Sequence, residues 1–433
     1  MSDPEARLAS WKEIADYLGR SPRTVQRWLA DYGLPVHRLG GSSGPIFAYK
    51  DELSAWLRNR GHADDFMPMT QPSMPAALGP VALDGHTTES SICDFNAAPG
   101  FLKGRSAELS SLGHGMWETL SSADFSTSVR VFRDAIDLDP GNARALAGLS
   151  FVLLTGGLLN SLNPSVYTVS AEDALRRAIE IDPDLLQVRT ARAWLKVAVQ
   201  RNWKAARRGF KDILARNSLF GPALVGQALL LIAEGCLAEA SDLLLEASTQ
   251  SPLSAPTLLF RAWNAYLGGR SATARGLLAQ ARMIGHSGTV MDALEALALI
   301  DRENPEASLQ PILLLADQPA PHPLLLGALG YCHAAAGQTR EAEAILHRFM
   351  HARTQGREDC SYPLALTFIG LNDRSNAVRW LKQAYADGSL WSLGFKSDPM
   401  LAPLHNDSLF LASINNLSYP SPEDTTSRLA SAS

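Results

Sequence analysis

The chain has 433 residues, 46% apolar and 19% charged, with a net charge of −5. It is too long for one ordinary domain, and its balance is that of a folded, water-soluble protein with at least two packed units. The four cysteines, Cys93, Cys236, Cys332 and Cys360, show no Cys-x-x-Cys spacing, so neither a disulfide framework nor a zinc knuckle is indicated.

The opening residues, MSDPEARLAS, lack a basic stretch followed by an apolar run, and no segment approaches the roughly 18 unbroken apolar residues of a membrane span. A cytoplasmic protein without membrane contact is expected. Residues 1–62 carry nine Lys/Arg against seven Asp/Glu, and the remainder 30 against 37, which directs any polyanion towards the N-terminal end.

Residues 10–29 read SWKEIADYLGRSPRTVQRWL. Ser10 and Glu13 have capping-box spacing, and Ile14, Tyr17 and Leu18 recur at helical intervals, so a first helix ends near Gly19. Ser21 before Pro22 starts a second, with Val25, Trp28 and Leu29 turned inward. Two short helices joined at Gly19 fit a helix-turn-helix, whose second helix offers its first outward residues to a major groove.

Those outward residues are Arg23, Thr24, Gln26 and Arg27, with Arg20 and Ser21 at the turn. Arginine can grip guanine edges or phosphates, glutamine can pair with adenine, and threonine can reach a phosphate or base. LPVHRL and PIFAY then read as strands flanking GGSSG, and Asp51 caps a helix carrying Leu53, Trp56 and Leu57. His37 and Arg38, on the first of these strands, are the nearest donors to a DNA backbone. Trp11, Trp28 and Trp56 are expected in the core.

This order of elements, over residues 1–61, resembles the winged helix-turn-helix DNA-binding domains of the bacterial MerR and excisionase-like group. The resemblance implies double-stranded DNA as partner. It departs from the group at Arg20, where an apolar residue is usual, and at a wing tip, Ser42 and Ser43, without arginine.

Residues 62–100 hold Pro68, Pro72, Pro75, Pro80 and Pro99 with little apolar periodicity, and read as a disordered linker. A flexible coil of that length spans roughly 35 Å r.m.s..

From residue 101 the chain is Ala/Leu-rich and repeats itself. A small residue, a large apolar one four later and an apolar one three beyond recur as Ser128/Phe132/Ala135, Ala171/Leu175/Ala178, Ala206/Phe210/Ile213, Ala240/Leu244/Ala247, Ala274/Leu278/Ala281, Ser308/Ile312/Leu315, Ala342/Leu346/Phe349 and Ala377/Leu381/Ala384. Successive offsets are 43, 35, 34, 34, 34, 34 and 35 residues. A helical hairpin cannot bury its apolar stripe alone, so stacked pairs would share one core. Pro140, Pro183 and Pro252 fall where a proline would end the second helix.

FRDAIDLDPGNARALAGLS and LRRAIEIDPD resemble tetratricopeptide repeats, with Leu146, Leu224, Leu258 and Leu326 replacing the family's tryptophan and its glycine kept at Gly330. The expected fold is mostly α: a winged helix-turn-helix domain plus an α-solenoid of tetratricopeptide-like hairpins over 101–417. The 43-residue step implies an insertion near 156–167, read as a projecting loop. LWSLGFKSDPMLAPLHNDSLFLASI resembles a terminal cap, and residues 418–433 a disordered tail.

No catalytic set, metal site or cofactor motif is expected. Gly40, Ser42 and Gly44 spell a nucleophile elbow, but the following residues are strand-like rather than helical. Glu343, His347 and His351 share a helical face without a further ligand nearby. Cys332 and His333, being adjacent on a helix, point about 100° apart. The expected function is a non-enzymatic, DNA-binding transcriptional regulator. Its array would bind a protein or peptide, or join two copies as a homodimer. The alternative is a scaffold or adaptor whose N-terminal module docks a protein instead of DNA.

Overall fold

The computed structural model describes residues 7–8, 10–18, 25, 29, 34–38, 46–50, 53, 99–118, 122–159, 164–355 and 360–415. It divides into two compact units, residues 1–93 and 94–433.

In the first unit Ser10 opens α1 (Trp11–Tyr17). Its Oγ accepts the Glu13 N–H at 3.2 Å and donates to the Glu13 carboxylate at 3.0 Å, which satisfies an otherwise orphaned amide of the first turn. Strands β1 (Arg7–Leu8) and β2 (His37–Arg38) both pair antiparallel with β3 (Ile46–Tyr49), which lies between them. The registers place Leu8 opposite Ala48 and His37 opposite Phe47.

β1 is absent from the sequence reading, because two residues carry no period. A single core gathers Leu8, Ile14, Ala15, Leu18, Val25, Leu34, Ile46, Ala48 and Leu53, with Trp11, Leu29 and Val36 packed on it. Tyr17 is exposed, and its hydroxyl donates to the Lys50 carbonyl at 3.4 Å. Trp28, Trp56, Leu57 and Asp51 lie outside the described residues, as do Gly19 and the stretch from 54 to 98 that includes most of the expected linker.

Among its described residues the second unit has eight helical hairpins in chain order. They are α2 (Pro99–Trp117) with α3 (Ser122–Leu138), α4 (Ala143–Leu158) with α5 (Pro164–Ile181), α6 (Leu186–Ala198) with α7 (Trp203–Arg216), and α8 (Gly221–Glu234) with α9 (Leu237–Gln250). They continue as α10 (Ala255–Leu267) with α11 (Ser271–Met283), α12 (Thr289–Leu299) with α13 (Pro305–Ala316), α14 (Pro323–Ala335) with α15 (Thr339–Thr354), and α16 (Ser361–Gly370) with α17 (Arg374–Ala386). Side chains of Asn142, Asn202, Ser254, Asn304 and Asp373 cap the starts of five of these helices.

Every triplet read from the sequence lies on the second helix of a hairpin, and all are buried except Leu315 and Leu346, which are half-buried against the core. Where the large member is phenylalanine it points into the first helix of the next hairpin, and a glycine there makes room. A Cβ on Gly148 would stand 2.3 Å from the Phe132 ring, and one on Gly226 2.3 Å from the Phe210 ring. The array is therefore a tetratricopeptide-type α-solenoid, held by large-into-small packing between neighbours.

In the second hairpin residues 156–158 and 164–167, expected in a projecting loop, are helical, while 160–163 lie outside the described residues. The additional residues lengthen both helices, so that α4 has 16 residues and α5 18, and Tyr167 is buried against Gly157. Apolar side chains in the insertion gain more from extending the shared core than from exposure.

The C-terminal segment also does more than cover the last hairpin. After α17, two 3₁₀ turns (Leu390–Gly394 and Pro399–Leu404) and α18 (Ser408–Asn415) follow. The turns lie across first helices of earlier hairpins: Trp391 meets Trp263 of α10 edge-on at 5.7 Å, and Phe395 lies 5.7 Å from Tyr362 of α16. Arg302 donates to the Pro399 carbonyl at 2.9 Å. Arg201, ahead of α7, sits 4.3 Å over Tyr385 of α17 and donates to Ser392 at 3.3 Å.

Asp398 anchors this segment while fully buried. It accepts the Tyr266 hydroxyl at 3.0 Å, the Met400 N–H at 2.9 Å and the Tyr362 hydroxyl. Burial pushes its carboxyl above the usual range despite these donors, and pushes both phenols well above theirs.

Two stability outcomes follow from this packing. Gly226→Ala should lower the urea midpoint, with overpacking costing about 1–3 kcal/mol and outweighing the gain in helix propensity. Gly221→Ala is the control, since nothing lies within 4 Å of its would-be Cβ, and should be neutral or stabilising. Asp398→Ala strands two buried phenol hydroxyls and should cost roughly 2–5 kcal/mol in the same measurement.

Candidate nucleic-acid interface and a cavity in the array

Of the eight residues expected at DNA, Arg20, Ser21, Arg23, Thr24, Gln26 and Arg27 lie outside the described residues. Between them, Val25 is helical and wholly buried, and Leu29, four residues on, is helical and packed on the same core. His37 is exposed on β2 with its ring 6.0 Å from that of Tyr49, and Arg38 follows it in the strand, opposite Ile46.

Ser42 also lies outside the described residues. Glu343, His347 and His351 are exposed on α15, and among the described residues no group of three His, Cys, Asp or Glu could hold a metal ion. Cys332 is buried, which pushes its thiol up to about 12, while His333 turns away to Gln338 at 2.6 Å.

The array contains a cavity of about 490 Å³ that the sequence reading missed. The end of α2 borders it, where the Ala255 N–H donates to the Glu118 carbonyl at 2.8 Å and ties the first hairpin to the start of α10. Phe151, Phe220 and Val225 form apolar wall, and Thr190, Ser254 and Thr257 supply hydroxyls.

Two titratable groups face it. His114 packs edge-on to Phe132 at 5.1 Å, and burial, reinforced by Arg144, lowers its pKa to about 4. Burial raises the Glu118 carboxyl, against the opposing pull of the Ser254 hydroxyl and His286. His114 Nε2 and Glu118 Oε2 are buried without a hydrogen-bond partner. An aromatic and hydroxyl-lined cavity with one carboxylate can hold a small molecule, but its parts come from six helices and their loops. No local motif could have shown it.

The depressed His114 pKa has a definite consequence. Between about pH 6.5 and 4 the unfolded chain binds a proton there that the folded chain does not, so this stability is present above pH 6.5 and lost as pH falls through 4. His114→Gln should therefore lose less thermal stability than the parent between those two pH values, measured as the difference between their unfolding curves.

Residues 5–36 match the family model of a homeodomain-like domain of the helix-turn-helix type. No curated protein sequence matches the chain. Among solved structures, a tetratricopeptide repeat protein from Parabacteroides merdae is similar at 16% identity, over 54% of this chain and 90% of that one, with a TM-score of 0.36. Pseudomonas aeruginosa PilF is similar at 16% identity, over 49% and 91%, with a TM-score of 0.32. The APC/C hetero-tetramer Cut9–Hcn1 is similar at 15% identity over 75% of this chain, which spans 57% of that one, with a TM-score of 0.45.

Proposed function

We propose that the chain is a DNA-binding transcriptional regulator. On this reading the N-terminal module contacts double-stranded DNA, and the array binds a protein or joins two copies as a homodimer. The observation that carries it is the helix-turn-helix match over 5–36, on a segment whose Val25 and Leu29 pack on a core shared with α1, β1 and β3. The module is taken as residues 1–61 and likened to the MerR and excisionase-like group, 62–100 as the linker, 101–417 as the array and 418–433 as the tail.

Arg23, Thr24, Gln26 and Arg27 are assigned to base edges and phosphates, and Arg20, Ser21, His37 and Arg38 to the flanking backbone. A single such module holds non-specific DNA with dissociation constants of roughly 10⁻⁴ to 10⁻⁶ M, so pairing of copies through the array is the route to tighter binding. The protein works by binding, without catalysis or cofactor. No helix among the described residues is long and apolar enough to cross a membrane, in keeping with a protein that meets DNA in the cytoplasm.

Selection of bound fragments from the source genome supplies the duplex for the test. Arg23→Glu with Arg27→Glu should weaken binding in a gel shift by about 2 kcal/mol or more, roughly 30-fold. Unchanged binding would remove the N-terminal module as the reader, and the absence of any enriched fragment would leave the adaptor reading in its place.

A further inference from the structure

The third hairpin is unlike the rest of the array in charge. Residues 186–216, spanning α6 and α7, hold nine Arg or Lys and one Asp, a net +8 in a chain whose total is −5. Two of these cations are engaged within the fold: Arg207 pairs with Glu234 in the core, and Arg201 stacks on Tyr385. The others are not drawn inward to the same degree. Arg192, Arg208 and Lys211 are exposed, while Arg189 and Lys196 are half-buried at the edge of a groove of about 380 Å³.

The groove is formed by both helices of the hairpin. Arg189, Arg192 and Lys196 enter it from α6 and Arg208 from α7, over a floor of Ala193, Ala205 and Gly209. The small floor residues allow close approach of the helices, for a Cβ on Gly209 would stand 3.1 Å from that of Ala193. Asp212 is the only acidic residue lining it, and Arg189 also pairs with the exposed Asp184. Positions 189 and 196 are seven helical steps apart, about 10 Å, which matches roughly three phosphates of one DNA strand at 3.4 Å each.

We propose that this basic groove on the third hairpin is a second DNA contact, gripping the phosphate backbone of a duplex without reading its sequence. The proposal rests on the reading of the chain as a DNA-binding protein. A patch of this density in an otherwise acidic array has a strong local field, and release of condensed counterions from DNA would favour its occupation. Guanidinium groups, the majority of its cations, suit phosphate oxygens better than ammonium groups do.

The test uses the full chain and a labelled random-sequence duplex, with affinity measured by fluorescence anisotropy across a salt series. The triple variant R192E/K196E/R208E should bind more weakly, and the slope of log K against log salt should become shallower by about 2.7, the value for three lost phosphate contacts. R192Q/K196Q/R208Q should move in the same direction by less, and serves if the reversed charges disturb folding. Affinity and slope both unchanged in the triple variant would overturn the groove; loss of binding in R23E/R27E alone would then leave the N-terminal reading intact. Binding insensitive to R23E/R27E but removed by the triple variant would support the groove and topple the N-terminal reading instead. Capture of phosphatidylserine vesicles through the groove with no duplex binding would also overturn the proposal.

Discussion

In the first and third hairpins one large side chain of the second helix is driven into the first helix of the next, and the placing of neighbouring groups depends on that contact. Where the side chain is Phe132 or Phe210, the receiving position is Gly148 or Gly226, and no Cβ could be accommodated. The pair sets how closely successive hairpins approach, hence their rotation and the path of the superhelix. Loss of fit at one step would redirect every hairpin beyond it.

Solenoids of this kind ordinarily have only neighbour contacts, so that stability is a sum over adjacent units. Here the chain adds long-range ties. Arg201 of the third hairpin meets Tyr385 of the eighth, Glu118 at the end of α2 meets Ala255 at the start of α10, and Asp398 is held by phenols from α10 and α16. These contacts join distant repeats, so opening one region exposes apolar surface in others.

The same ties decide where partners can bind. The turns from Leu390 to Leu404 cover first-helix surface from α10 to α16, with Trp391, Phe395 and Leu401 buried there. That surface is thus filled by the protein's own chain. The cavity beside His114 and Glu118 and the basic groove of the third hairpin remain open, the first suited by its lining to a small molecule and the second by its charge to a polyanion.

The sequence alone determined whatever follows from a local period or a local start signal. The spacing of Ser10 and Glu13, the inward Ile14 and Leu18, and eight triplets near a 34-residue period were legible because one helix or hairpin carries each of them. The charge of residues 186–216 was equally local but vanished when summed over an acidic array. Only the tertiary structure decided the rest: the pairing of two-residue β1 with β3, the helical state of residues 156–158 and 164–167, the return of the C-terminal turns and the assembly of the cavity. Each of these joins residues far apart in the chain through small rotations accumulated hairpin by hairpin, and no window of sequence contains both ends of such a contact.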